Sequence, residues 1–197
     1  MEFIDLLSYY DEVLALWQEY TGEEFCAQPP IMPTSGLKNS LLFVGLNPSF
    51  TKGDDTPYTL SQDNRGGHPY FATISRMAER IGMPWSHLDL LCIRETDQRR
   101  IRILLRSDKG CTFIQKQIDI TLRMINALNP AAIVICNALA CRLLDERMHL
   151  SDQFDEQIGT PQIHNIPWYL CGMLSGQRAL DKGSRERLIW HISRNRK

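Results

Sequence analysis

The chain has 197 residues, 43% hydrophobic and 23% charged, with a formal net charge of −1. This length suits one domain over 1–197 with a well-buried core, and the near-neutral balance excludes bulk electrostatic attraction to nucleic acid. No apolar run reaches the ~18 residues of a membrane span, so no membrane association is expected.

The start, Met1-Glu2-Phe3-Ile4-Asp5, is acidic and then amphipathic. It lacks the basic opening and apolar core of a signal peptide, which makes the cytoplasm the expected compartment. Apolar residues from Ile4 to Tyr20 recur at helical spacing and predict one amphipathic helix. Thr21 to Asn39, rich in Pro and Gly, reads as a surface crossing. Leu41 to Val44 is a strand-length apolar run. A polar stretch from Ser49 to His68 carries no obvious element, and a loop of that length is usually functional. Phe71 to Ile81 predicts a helix closed by Gly82 and Pro84.

His87 to Ile93 reads as a second strand, and Phe113 to Leu128 as a long helix ended by Asn129-Pro130. Ala131 to Cys136 is a third strand, Ala138 to Met148 a helix and Trp168 to Leu174 a fourth strand. Ser184 to Ser193 closes the chain as a helix with Ser184 as its N-cap. Apolar strands alternating with helices predict a parallel sheet covered on both faces, a three-layer α/β sandwich around four strands.

Six cysteines are present, and none forms a CxxC pair. Reduced thiols are expected, with no structural metal and no disulfide framework. Basic residues gather from Arg94 to Lys109 and from Lys182 to Lys197. Such segments suit phosphate contacts, and equally suit solvated helix faces. Asp54 and Asp55 with His68 could hold magnesium, although adjacent Asp residues in a Gly-containing loop are more ordinary as turn residues. No Walker loop, GxGxxG or Ser-His-Asp order appears, and no cofactor is expected.

The most informative stretch is Ser40-Leu41-Leu42-Phe43-Val44-Gly45-Leu46-Asn47-Pro48-Ser49. Pro48 has no N–H, so a central strand must end by there. Asn47 is thereby delivered to the carboxyl end of the sheet, where open α/β folds bind ligands. Gly45-Leu46-Asn47-Pro48 resembles the G-x-(N, D or E)-P motif that ends the first strand in the uracil-DNA glycosylase superfamily. Its Asn form is typical of the mismatch-specific and single-strand-selective branches. Met173-Leu174-Ser175-Gly176 takes the place of the family's H-P-S or N-P-S, and Asp89 stands where the family has an Asn that reads the base. Asn47-Pro48-Ser49, Gly53-Asp54-Asp55 and Arg94-Glu95-Thr96-Asp97 also resemble an uncharacterised bacterial family related to it.

The resemblance implies a four-stranded parallel sheet and hydrolysis of the N-glycosidic bond of a damaged or deaminated base flipped out of DNA. It implies Asn47 as the residue that holds the attacking water. Gly45, Leu46, Pro48 and Asp89 would surround the base, with Tyr58, Tyr70 and Phe71 as candidates for stacking. Packing is the more ordinary role for Phe71 at a helix start. Ser175, Gly176, Gln177, Arg178, Arg185 and Arg187 would contact DNA. Met173 in place of a polar residue and Asp89 in place of Asn leave a second reading open, a nucleotide or nucleic-acid binding module that does not cut. An ionised Asp89 accepts hydrogen bonds only, which disfavours uracil and favours a base edge offering N–H groups.

Overall fold

The computed structural model describes residues 1–49, 69–176 and 179–196. Strand β3 (Leu41–Gly45) is buried along its whole length, and β4 (Trp85–Asp89), β5 (Ala132–Ile135) and β8 (Ile166–Leu170) run beside it. The pairs β3–β4, β3–β5 and β5–β8 are all parallel. Two short strands extend the sheet, β7 (Thr160–Ile163) antiparallel to β8 and β6 (Phe154–Asp155) antiparallel to β7. The spatial order is β4-β3-β5-β8-β7-β6. The sheet is therefore mixed and six-stranded, which corrects the expectation of a four-stranded parallel one. Gly159, Pro161 and Pro167 punctuate the β7–β8 region like a loop. They are tolerated because this end of the sheet is its edge, where ladder N–H groups can be spared.

Alternation along the strands separates two cores. Leu42, Val44, Ile133 and Ile135 pack with α1 (Leu7–Glu19), α4 (Asp108–Leu128) and α5 (Ala138–Met148). Leu41, Phe43, Ala132 and Val134 face the other way, onto α2 (Pro69–Ile81) and α6 (Lys182–Arg194). Helices thus cover both faces, a three-layer α/β arrangement.

Several boundaries differ from the periodicity. Residues Phe3–Asp5 form β1, paired antiparallel with β2 (Ser35–Leu37), and the first helix begins only at Leu7. Leu6 N–H donates to the Thr34 carbonyl at 2.9 Å, drawing the chain into this pairing. The segment expected to cross the surface buries Ile31 and Met32. A short helix, α3 (Gln98–Leu104), arises within the basic segment because the Asp97 carboxylate accepts from the Arg99 N–H at 3.0 Å. The N-cap of α6 is Asp181, whose carboxylate accepts from the Ser184 N–H at 2.9 Å, so Ser184 is capped rather than capping. Strand β8 leaves the ladder after Leu170, and Cys171 to Ser175 become loop. Among the described residues no helix is long and apolar enough to cross a membrane.

Candidate functional site

The parallel strands all end on the same side of the sheet, and a cavity of about 520 Å³ opens there. Its walls come from the β3 end (Gly45 to Ser49), from His87 and Asp89 on β4, from Cys136 and Asn137 after β5, and from Met173 to Ser175 after β8. Tyr70 and Phe71, in the first turn of α2, complete one side. The volume is in the range of small-molecule sites.

Asn47 is fixed by its own amide. Its Nδ2 donates to the carbonyls of Pro48 at 3.0 Å, Ile93 at 3.1 Å and Glu95 at 2.7 Å. Three carbonyls around one atom identify that atom as the nitrogen. The side chain bridges the chain after β3 to the chain after β4, beside the backbone bond from Glu95 N–H to the Pro48 carbonyl at 3.0 Å. Oδ1 is left with no hydrogen bond among the described residues, on a side chain that borders the cavity. An amide oxygen held in one orientation can receive a hydrogen bond from water or from a ligand.

The floor is made by β4. His87 and Asp89 alternate on the face that carries Phe43 and Gly45 in the neighbouring strand, and Gly45 is the register partner of Asp89. A Cβ on residue 45 would sit 2.1 Å from the Asp89 carboxylate, so the glycine creates the space that this carboxyl occupies. Burial raises the Asp89 pKa from 3.8 to about 7. The His87 ring is 2% exposed, and neither of its nitrogens has a hydrogen-bond partner among the described residues. Nε2 lies 3.8 Å from the Asp89 carboxylate, beyond hydrogen-bond length. Burial lowers the His87 pKa to about 3, so the ring is neutral, with one donor and one acceptor nitrogen. Tyr70 and Phe71 meet this ring edge-on, at 5.3 and 5.2 Å between centroids.

Asn137 caps α5. Its Oδ1 accepts from the N–H groups of Leu139 at 2.8 Å and Ala140 at 3.3 Å, while its Nδ2 makes no hydrogen bond among the described residues. It thus offers the cavity a donor where Met173, a weak acceptor with no N–H, offers none. Burial holds the Cys136 thiol well above its ordinary pKa, which suppresses the thiolate that nucleophilic chemistry would need. Among the described residues no group of three or more His, Cys, Asp or Glu could hold a metal ion.

Of the residues singled out from the sequence, Gly45, Leu46, Asn47, Pro48, Tyr70, Phe71, Asp89 and Ser175 line this one cavity. Phe71 also packs against Trp85, with stacked rings 6.3 Å apart. Gly176 lies one residue beyond the lining, exposed, with a φ of +86°. Arg185 and Arg187 stand on α6 outside the lining. Arg185 donates to the Leu180 carbonyl at 3.3 Å and Arg187 to the Ser184 hydroxyl at 3.0 Å. Tyr58, Gln177, Arg178, Asp54, Asp55 and His68 lie outside the described residues.

His87 and Asn137 were not anticipated. For His87 the signal was alternation, since His87 and Asp89 are polar i, i+2 neighbours on either side of Leu88. For Asn137 it was an Asn between a strand and a helix, the position of an N-cap. The basic segment from Arg94 to Lys109 is partly neutralised, with Arg99 on Asp97 at 2.7 Å, Arg100 near Glu95 at 3.5 Å and Lys109 on Glu23 at 2.5 Å. No protein family matches the chain, and no curated protein matches it closely enough to count as a relative.

Proposed function

We propose that the protein is a DNA glycosylase of the uracil-DNA glycosylase type. It hydrolyses the N-glycosidic bond of a damaged or deaminated base that is flipped into the cavity. The parallel part of the sheet, β4-β3-β5-β8, corresponds in this reading to that family's four strands. The observation that carries the reading is the immobilised Asn47, whose oxygen makes no hydrogen bond among the described residues and whose side chain borders a cavity of about 520 Å³. In such a reaction the sugar develops oxocarbenium character and the base leaves with negative charge. Water held by Asn47 Oδ1 would attack the sugar carbon. An amide positions water without being a strong base, which suits bond breaking that runs ahead of attack. The Asn137 Nδ2 is a donor for the departing base, a role that Met173 cannot fill. Ser175 and the backbone around Gly176 would meet a phosphate on the strand.

A second reading has its own support. Met173 lines the cavity where the resembling enzymes keep a polar residue, which favours a module that binds a nucleotide without cutting it. An abasic-site assay separates the two. Single- and double-stranded oligonucleotides carrying uracil, hypoxanthine, xanthine, ethenocytosine, 8-oxoguanine or thymine opposite guanine would be incubated with the protein and with Asn47→Ala. The glycosylase reading expects cleavage of at least one substrate by the parent and none by the variant. Silence across the panel with folded protein, or full activity in a folded Asn47→Ala, overturns it.

A further inference from the structure

The cavity floor holds two polar side chains that no described residue satisfies. His87 is almost wholly buried, with neither ring nitrogen bonded among the described residues. The Asp89 side chain is 16% exposed and makes no hydrogen bond among the described residues. Leaving such groups unpaired costs roughly 1–3 kcal/mol each, which a ligand offering matching groups would recover. The two are separated by 3.8 Å, too far to satisfy each other and near enough to read adjacent atoms of one ligand edge.

We propose that this pair selects the Watson–Crick edge of a 2-amino-6-oxopurine, with the two Asp89 oxygens receiving its N1–H and N2–H and a His87 ring N–H donating to its O6. The proposal rests on the reading that the cavity's occupant is a nucleotide base, and it names the class of base. A carboxylate presents two acceptors side by side, and a neutral imidazole supplies one donor beside them. A guanine-type edge is the complement, with one acceptor followed by two donors. Uracil and xanthine place a carbonyl where the second donor is needed, against the carboxylate. Hypoxanthine has no amine there. A guanine altered on its imidazole side keeps the whole edge.

The surroundings leave Asp89 as the switchable member. Among the described residues, the titratable groups that face it are His87 on its own strand, Cys92 beyond that strand, Tyr70 on α2 and Cys136 after β5. His87 is neutral at pH 7, and burial holds Cys92, at about 12, together with Tyr70 and Cys136 in their protonated forms. Protonation of Asp89 replaces one acceptor by a donor, so the selected edge is bound more weakly below pH 7.

The test is equilibrium binding at pH 8 and pH 6. The probes are single-stranded oligothymidylates with one central guanine, N1-methylguanine, hypoxanthine or uracil, and free 2′-deoxyguanosine 5′-monophosphate. The proteins are the parent and Asp89→Asn. A bidentate contact of this kind is worth roughly ten- to a hundredfold in discrimination. The expected result is a guanine strand bound at least tenfold tighter than the uracil and N1-methylguanine strands, with the preference reduced at pH 6 and lost in Asp89→Asn. The free nucleotide competing as well as the strand would uphold the edge and assign it to a nucleotide ligand. Equal binding of all strands, with excision of some other base still dependent on Asn47, overturns this proposal alone. No binding of any probe, with no excision, overturns both it and the glycosylase reading.

Discussion

Replacing Asp89 by Asn changes stability in a way that pH resolves. The folded pKa of this carboxyl is raised from 3.8 to about 7 by burial, so between those values the native state holds a proton that the unfolded state has lost. Stability from this group is complete below pH 3.8 and is lost as pH rises through 7. The span is about three pH units, each worth about 1.4 kcal/mol, so ionised Asp89 costs the native state about 4 kcal/mol at pH 8. Asn keeps the shape and carries no charge. Asp89→Asn is therefore expected to match the parent near pH 4 and to exceed it by about 4 kcal/mol at pH 8. His87 has the opposite sign. Its pKa falls from 6.5 to about 3, so its contribution is complete above pH 6.5 and is lost as pH drops toward 3. In the parent the two slopes oppose each other between about pH 4 and 6.5, and in the variant the His87 slope stands uncovered. Urea denaturation of both proteins from pH 4.5 to 8, compared as a difference, isolates Asp89 because every other titrating group is shared. A difference that is independent of pH, or that favours the parent at pH 8, would refute the buried carboxyl.

Asn47→Ala removes three hydrogen bonds to backbone carbonyls and is expected to lower stability by about 1–3 kcal/mol while abolishing any excision; an unchanged melting curve would contradict the clamp. Gly45→Ala puts a methyl group where the Asp89 carboxylate lies, and the carboxylate is the part that must move. The pH-dependent stability difference produced by Asp89→Asn should therefore shrink in a Gly45→Ala background, and an undiminished difference would show that the carboxyl had stayed in place. Asn137→Ala loses both cap bonds of α5, at a cost of about 1–2 kcal/mol in chemical denaturation. A neutral result there would mean that the helix start is held by other contacts.

What the sequence disclosed, and what it hid, follows from where each signal originates. Strands β3 and β5 are short apolar runs closed by turn chemistry, and α2, α4 and α5 carry apolar faces at helical spacing, so local pattern alone identifies them. The β1–β2 and β6–β7 pairings rest on partners distant in sequence or on segments that Pro and Gly disguise as loops, and they exist only once the rest of the fold positions them. Strand β4 runs over Trp85–Asp89 where the pattern predicts His87 to Ile93, because Leu90 to Ile93 are more apolar than the strand itself. Asn47 was legible because an amide followed by Pro ends an apolar run. His87 was not, because its meaning lies in Phe43, Tyr70 and Phe71, side chains from other elements that lie against its ring, while no described residue hydrogen-bonds its nitrogens. Asp89 was legible as a cavity residue, whereas the glycine that makes its room is recognised only through the register of two strands.

The Asn47 bridge bears on how this chain would be read among its descendants. Its nitrogen satisfies three carbonyls that belong to the architecture, so the residue would be retained even in a lineage whose oxygen no longer took part in a reaction. Asn47 and Pro48 alone are for that reason a poor marker of activity. Among the described residues no hydrogen bond uses His87 or the Asp89 carboxylate, and each imposes a burial cost that drift would readily remove. A lineage that keeps both, together with the glycine opposite, is one in which the cavity is still under selection for something it holds.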